Sequence, residues 1–400
     1  MKAIFTKLKG DKVIWAVSAL LAIFSFIPVY SASSNLAYLY GDGTTYSFLI
    51  DHFLHLLLGF VCIYVIHKIP YHYFKGLSVL LMPVIIFLLI YTLSQGTTID
   101  GANASRWIRV PLVGFTFQTS TLAGVVLSIY VARYLSKIKD REVTFKETIL
   151  PLWAPVFVVL GLILPANFST TAIIFSMILL LVFVGGYPLK YLSIIVGAGL
   201  LILALFVLSA KAFPGMFPNR VDTWISRIEN FTNDENTQAD YQIERAKTAI
   251  ATGGIAGIGI GKSVQRNFLP QSSSDFIYAI IVEEMGLVGG FTVMFFYLFL
   301  LFRILIVATK ANSFFGKLLV IGVGFPIIFQ ALINMAVAVE LFPVTGQTLP
   351  LISSGGSSIL MTCLALGIIL GVSAKRNEVI QLEKDETEEE NPLDILSEAI

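Results

Sequence analysis

Ten continuous apolar runs, each close to the ~20 residues a bilayer requires of a helix, leave this chain little choice of fold. They lie near 13–31, 48–66, 76–95, 117–136, 148–165, 168–186, 188–210, 276–304, 315–339 and 349–373. Because they are unbroken rather than alternating, they read as spanning helices and not as barrel strands. Composition agrees, since 56% of the 400 residues are hydrophobic, 13% are charged and 31 are Phe. A soluble domain of this length could not hide that much apolar surface. The expected fold class is an all-α polytopic membrane protein of about ten transmembrane helices. The first run is too long for a cleaved signal sequence and reads as a signal anchor.

The formal net charge of +1 conceals segregation of the two signs. Lys2, Lys7, Lys9 and Lys12 precede the first run, and Lys68 and Lys75 follow the second. Arg133, Lys137, Lys139, Arg141 and Lys146 lie after the fourth. Arg303, Lys310 and Lys317 follow the eighth, and Lys375 and Arg376 the tenth. All these segments fall on one face, which should be cytoplasmic, with both termini on that side. Two polar segments then face outward, 96–116 and the much longer 211–275 between helices seven and eight. The expected division is a transmembrane domain over 1–376 and an acidic, disordered cytoplasmic tail over 377–400. Cys62 and Cys363 fall inside apolar runs and read as buried thiols, with no metal-ligand spacing around them. Nothing suggests a nucleic-acid partner.

The chemistry concentrates in 253–290, where a glycine-rich segment leads to Asp275 at the mouth of the eighth helix. Two more acids, Glu283 and Glu284, follow inside the run, where an unpaired carboxylate would be costly and is a functional candidate. Asp275 has two readings. It can cap the helix, as can Ser272, Ser273 and Ser274. Alternatively it accepts a proton from a hydroxyl while Arg220, Arg227, Arg245, Lys247, Lys262 and Arg266 hold an anionic, membrane-tethered substrate. A glycosidase-like pair with Glu283 is disfavoured: eight helical residues separate the two by ~12 Å along the axis and about 80° around it, whereas working pairs lie roughly 5–9.5 Å apart.

Gly257-Ile258-Gly259-Ile260-Gly261-Lys262-Ser263 lacks the first glycine of a Walker A loop, since Ala256 stands there, so no nucleotide is expected. The glycines either let backbone approach a substrate or form a re-entrant turn. Near the C-terminus, 343–358 breaks helix with Pro343, Pro350, Gly355 and Gly356. Its N–H groups can bind an anion where the last helix starts, near Ser357 and Ser358, or its small residues simply pack closely. Asp51, His52 and His55 read as interface polar groups rather than metal ligands.

These stretches resemble the SEDS family (shape, elongation, division and sporulation), the RodA/FtsW/SpoVE group of cell-wall polymerases. The resemblance is carried by Arg106-Trp107-Ile108 with Gln118 and Ser120, by GIGIGKSVQRNFLPQSSSDFIYAIIVEEMGLVGG, and by Asn334-Met335 with LFPVTGQTLPLISSGGSS. It implies a ten-helix peptidoglycan glycosyltransferase that polymerises lipid II, with Asp275 as general base in an inverting transfer that expels undecaprenyl pyrophosphate. Substrate-binding candidates are then Lys262, Ser263, Arg220, Arg227, Arg106, Gln118, Ser357 and Ser358. A divalent cation (Mg2+ or Mn2+) or the loop arginines would neutralise the pyrophosphate, with no metal ligand named in the chain.

The implied partners are a class B penicillin-binding transpeptidase (FtsI-like), other division proteins and membrane lipids. The implied place is the bacterial inner membrane, at the septum, with wording closer to the FtsW branch than to RodA. An elongation-type polymerase, a lipid II flippase and a non-catalytic scaffold are the alternatives. The sequence departs from the family pattern in places. Ser273-Ser274 replaces His-Thr, and Gln118-Thr119-Ser120-Thr121 replaces Gln-Pro-Ser-Glu, with Gly124 at the following Lys position. Pro165-Ala166-Asn167-Phe168-Ser169-Thr170 replaces the Pro-Asp-x-Gly-Thr motif.

Overall fold

The computed structural model describes residues 8–40, 45–95, 106–109, 116–139, 141–212, 238–269 and 272–389. They form α1 (Lys12–Tyr40), α2 (Thr45–Ile66), α3 (Tyr73–Gln95), β1 (Trp107–Arg109), β2 (Thr116–Gln118), α4 (Thr119–Ile138) and α5 (Phe145–Ile163, with a π-helical turn at Ile149–Trp153). Then come α6 (Phe168–Val184), α7 (Leu189–Ala212), α8 (Gln238–Gly253), α9 (Ile277–Thr309), α10 (Phe314–Ala338) and α11 (Gly356–Glu389). Eight helices (α1–α5 and α9–α11) are long and apolar enough to cross a membrane; α6 and the described part of α7 are shorter apolar helices. The chain is a multi-pass helical membrane protein.

Helices α10 and α11 form the enclosed middle of the bundle. Leu319, Val320 and Ala331 of α10, and Cys363, Leu366 and Ile369 of α11, are shut away from solvent. The first of the pair packs on α4, α6, α9 and α11, and the second lies along α2. By contrast α2 and α3 leave Phe53, Leu54, Leu80 and Phe87 exposed, an arrangement that is stable only against lipid. Pro28, Pro83 and Pro326 sit inside helices, as neighbouring helices and side chains can re-satisfy freed carbonyls in a membrane bundle.

Asp11 organises the basic face. One carboxylate oxygen accepts from the amides of Val13 (2.9 Å) and Ile14 (3.1 Å), capping α1, and the other pairs with Arg303 of α9. At the soft boundary between the fifth and sixth runs, α5 ends at Ile163. Asn167 then caps α6, its Oδ1 accepting from the Thr170 amide at 3.2 Å.

Three features depart from the expected outline. The outward segment 96–116 is not merely loop, because β1 and β2 pair as an antiparallel hairpin with Ile108 opposite Phe117. Its strands are made of Trp, Ile, Thr and Phe, residues that suit a pleated surface. The long outer segment contains α8, whose Ala246 and Ala249 let it approach Phe276, Ala279, Val337 and Ala338 closely. Finally, α11 runs on to Glu389, so the tail expected to be disordered is helical that far. Leu, Gln, Glu and Lys are strong helix formers and no Gly or Pro intervenes before Pro392. Residues 390–400 lie outside the described part.

Candidate active site

Three carboxylates of the 253–290 stretch occupy two different environments at the end of the bundle opposite the basic face. Glu283 and Glu284 come first. Helix α9 is broken at Gly286 (φ 67, ψ −171), a conformation open only to glycine. The break frees the carbonyls of Glu283 and Glu284, which accept from the amides of Ile258 and Gly259 at 3.0 Å each. In return the amides of Leu287 and Val288 donate to the carbonyls of Gly254 (2.9 Å) and Ile255 (3.3 Å). Backbone meets backbone so closely that a Cβ at Gly257 would stand 2.2 Å from the Glu284 oxygen. One at Gly286 would stand 2.1 Å from that of Ile255, and one at Gly253 2.0 Å from that of Val282. Gly253, Gly257 and Gly286 therefore serve close backbone contact. They let the segment replace hydrogen bonds that a kinked helix has lost.

The side chains complete that lock. Glu283, wholly buried, accepts from the Ser263 hydroxyl and from the amides of Val264 (3.0 Å) and Gln265 (3.2 Å). Glu284, 2% exposed, accepts from the Ser31 hydroxyl of α1 and the Ser263 amide at 3.3 Å. Arg266 reaches the same Ser31, donating to its hydroxyl at 2.9 Å and its carbonyl at 3.2 Å. Glu284 lies about 28 Å of helix from Arg303, the residue that marks the basic face. These acids thus sit in the part of α9 farthest from the basic face. The pair that the sequence marks as functional candidates accepts hydrogen bonds from a loop and from α1.

Asp275 is different. Helix α9 starts at Ile277 with Phe276 in the cap position, one residue too late for Asp275 to be the capping residue. Its half-buried side chain stands over Gly346, which is exposed and has φ +66. A Cβ there would lie 3.5 Å from Asp275 Oδ2. The supports reach Asp275 through its backbone. Asn334 of α10 donates from Nδ2 to the carbonyls of Asp275 and Gln347, 2.7 Å each, and Gln347 Nε2 donates to Thr170 Oγ1 of α6 at 3.1 Å. The neighbouring turn is lashed to the C-terminal motif: Ser354 N–H donates to the Ser273 carbonyl (2.9 Å) and the Ser353 hydroxyl to that of Ser274 (2.6 Å).

Beside this frame a cavity of ≈500 Å3 opens between α6 and α10. Phe168, Ile173, Met177, Phe329, Leu332 and Phe342 give it an apolar wall, and Arg106 and Thr345 bring polar groups to it. Thr345 directly precedes the glycine under Asp275. Arg106 also borders a small, mainly apolar recess with Leu89, Leu162 and Asn167, and its Nε donates to the Ala166 carbonyl at 2.9 Å.

The other sequence candidates sort accordingly. Gln118 ends β2, opposite Trp107, at the cap of α4. Lys262 is exposed with its stem folded over Gly259, and the Ser263 hydroxyl is committed to Glu283. Ser357 is buried, and the Ser358 hydroxyl accepts from the Thr348 hydroxyl (2.7 Å) and from Gln330 Nε2 (3.4 Å). Small-residue packing, rather than an open amide nest, describes that motif. Arg220 and Arg227 lie outside the described residues. Of the remaining loop cations, Arg245 stacks between Tyr241 and Phe268, and Lys247 pairs with Glu340.

Sequence reasoning missed Asn334, Thr170 and Gln347 as one frame. Polar residues near helix ends were the available signal, but nothing in their spacing shows that they converge. It also missed the Glu283–Ser263 bond, for which a Ser twenty residues before an intramembrane Glu is no signal at all.

A polytopic helical membrane protein with a half-buried carboxylate, on a turn framed beside an apolar cavity, is the class that fold and site define. Residues 11–378 match the model of the FtsW/RodA/SpoVE cell cycle protein family, and the chain belongs to it. A probable peptidoglycan glycosyltransferase FtsW from Geobacter sp. (strain M18) is 32% identical over 91% of this chain and 97% of its own length. Stage V sporulation protein E of Bacillus subtilis is 30% identical over 92% and 98%.

Among solved structures, a chain of a peptidoglycan synthase complex described as coordinating polymerization and crosslinking superposes with TM-score 0.69. It is 24% identical, over 92% of this chain and 98% of that one. The rod shape determining protein RodA of Thermus thermophilus gives 0.66 at 23% identity, over 92% and 97%. These last two establish the fold.

Proposed function

We propose that this chain is a peptidoglycan glycosyltransferase that polymerises lipid II, with Asp275 as general base. The observation that carries the reading is the contrast among the three acids. Asp275 alone is half-buried, beside an exposed glycine whose neighbour Thr345 lines a cavity suited to a hydrocarbon chain. In the reaction, Asp275 takes the proton of the acceptor sugar's hydroxyl as its oxygen attacks the donor's anomeric carbon. The bond from that carbon to the pyrophosphate oxygen breaks, configuration inverts, and undecaprenyl pyrophosphate leaves. A good leaving group removes the need for an acid partner, in keeping with Glu283 being wholly enclosed. Arg106 is the described cation best placed to meet the phosphates, since it borders the cavity.

A divalent cation belongs to the family expectation. Among the described residues no three His, Cys, Asp or Glu side chains gather as ligands, and no step above depends on such an ion. We read the chain as one transmembrane unit over 1–376 with ten crossings, both termini cytoplasmic and the Asp275 end outside. The FtsW names of the relatives favour the division branch, and with it the inner membrane at the septum, division proteins and an FtsI-like crosslinking partner.

The test is glycan-strand formation from purified lipid II by wild type and Asp275→Ala, with the partner's transpeptidase site blocked and a divalent cation supplied. Polymer from wild type alone, with both proteins equally folded, supports the assignment. Equal polymer from both removes Asp275 as the base. None from either moves the reading to a flippase or scaffold.

A further inference from the structure

The Asp275 frame has a hub that none of the chemistry above uses. Asn334 is 1% exposed and lies 59 residues from Asp275 in the chain. Both groups facing its amide nitrogen are carbonyls, which only accept, so the NH2 must point at them and both its hydrogens are spent. Its Oδ1 is buried and has no partner among the described residues. The side chain is therefore held for its two donors alone, and those two donors join the Asp275 turn to the 343–348 segment.

We propose that Asn334 is a positioning residue for the transfer reaction, setting the Asp275 carboxylate over Gly346. This rests on the reading of Asp275 as the base. With Asn334 in place, the Asp275 carbonyl and the Gln347 carbonyl are held to one nitrogen, and Gln347 anchors onward to Thr170. The gap between Gly346 and Oδ2 is then defined from both sides. Without it, two part-buried carbonyls lose their shared donor and the turn can shift relative to its floor. A displacement of about 1 Å at a reacting group is enough to cost ~100-fold in rate.

The structure supplies a matched control one helical turn earlier. Gln330 of α10 donates from Nε2 to the Thr348 carbonyl (2.9 Å) and hydroxyl (3.1 Å). It tethers the same C-terminal segment with the same chemistry, and its recorded bonds go to Thr348 and Ser358 rather than to the Asp275 turn.

The experiment measures kcat and KM for lipid II on the full chain with its partner, together with the thermal midpoint in detergent. Asn334→Ala is expected to lower kcat about 10- to 100-fold with KM within about twofold, while Gln330→Ala, at a similar fall in midpoint, keeps kcat within about threefold. Equal kcat losses in the two variants would overturn the proposal and leave Asn334 as a structural tether. Should Asn334→Ala fail to fold, Asn334→Ser is read instead. It retains one donor, so an intermediate kcat supports positioning and an unchanged one overturns it. Failure of the underlying reading looks different: Asp275→Asn would then stay active whatever Asn334 does.

Discussion

Two regions, both built from the 253–290 stretch, use carboxylates in opposite ways. Around Glu283 and Glu284, hydroxyls of Ser31 and Ser263 and amides of 263–265 converge on fully enclosed side chains. Around Asp275 the framework bonds recorded from Asn334 and the C-terminal motif go to backbone carbonyls of 273–275, and the carboxylate is left half-exposed above a glycine. A saturated acid is an anchor, since its lone pairs are already occupied. Asp275 is instead tied through its backbone carbonyl, with its side chain half-buried above Gly346. Depth in the membrane, the usual guide to functional acids, would have ranked the three in reverse.

That comparison is sharpest if substitutions on its two sides give opposite signatures. Asp275→Asn should lose about 10²- to 10⁴-fold in polymerisation rate, the range for a general base, with a thermal midpoint close to wild type. A parallel loss of folding would place Asp275 with the anchors.

On the other side, Gly286→Ala should lower stability by at least about 3 kcal/mol, because a left-handed φ and a blocked Cβ act together. Thermal unfolding in detergent checks this; a near-normal midpoint would mean that the kink relaxes. Glu283→Gln turns one acceptor into a donor facing donors and should cost about 1–3 kcal/mol. Protease cutting within 254–269 should accelerate, while activity falls only with the folded fraction. Ser31→Ala removes one hydroxyl from Glu284 and a contact from Arg266, and should cost about 1 kcal/mol. If it instead abolished turnover with folding intact, the anchor side would have to be counted as part of the reaction.

Most of the fold was legible because hydropathy in a bilayer is a one-dimensional rule. Each run had to become a helix to satisfy its own backbone, and boundaries such as Thr45–Ile66 and Phe314–Ala338 fall within a few residues of the apolar runs. The glycines were legible as special but their purpose was not. Gly257 and Gly286 are 29 positions apart, and their mutual contact exists only because the helix breaks there. The α8 helix and the hairpin were missed for a simpler reason: short amphipathic elements in polar segments carry little hydropathy signal.

Of the site, the family motif singled out Asp275, while Ser263, Ser357 and Ser358 looked equally apt; the first two are buried and Ser358 is half-buried. Residue type and spacing determined where helices run, which ends carry the basic residues and which carboxylate the motif marks. Tertiary structure alone decided which acids are enclosed as anchors and which is half-buried over Gly346. Hydrogen-bond saturation depends on donors from α1, α6, α10 and the C-terminal motif, and those partners are tens to hundreds of residues away along the chain.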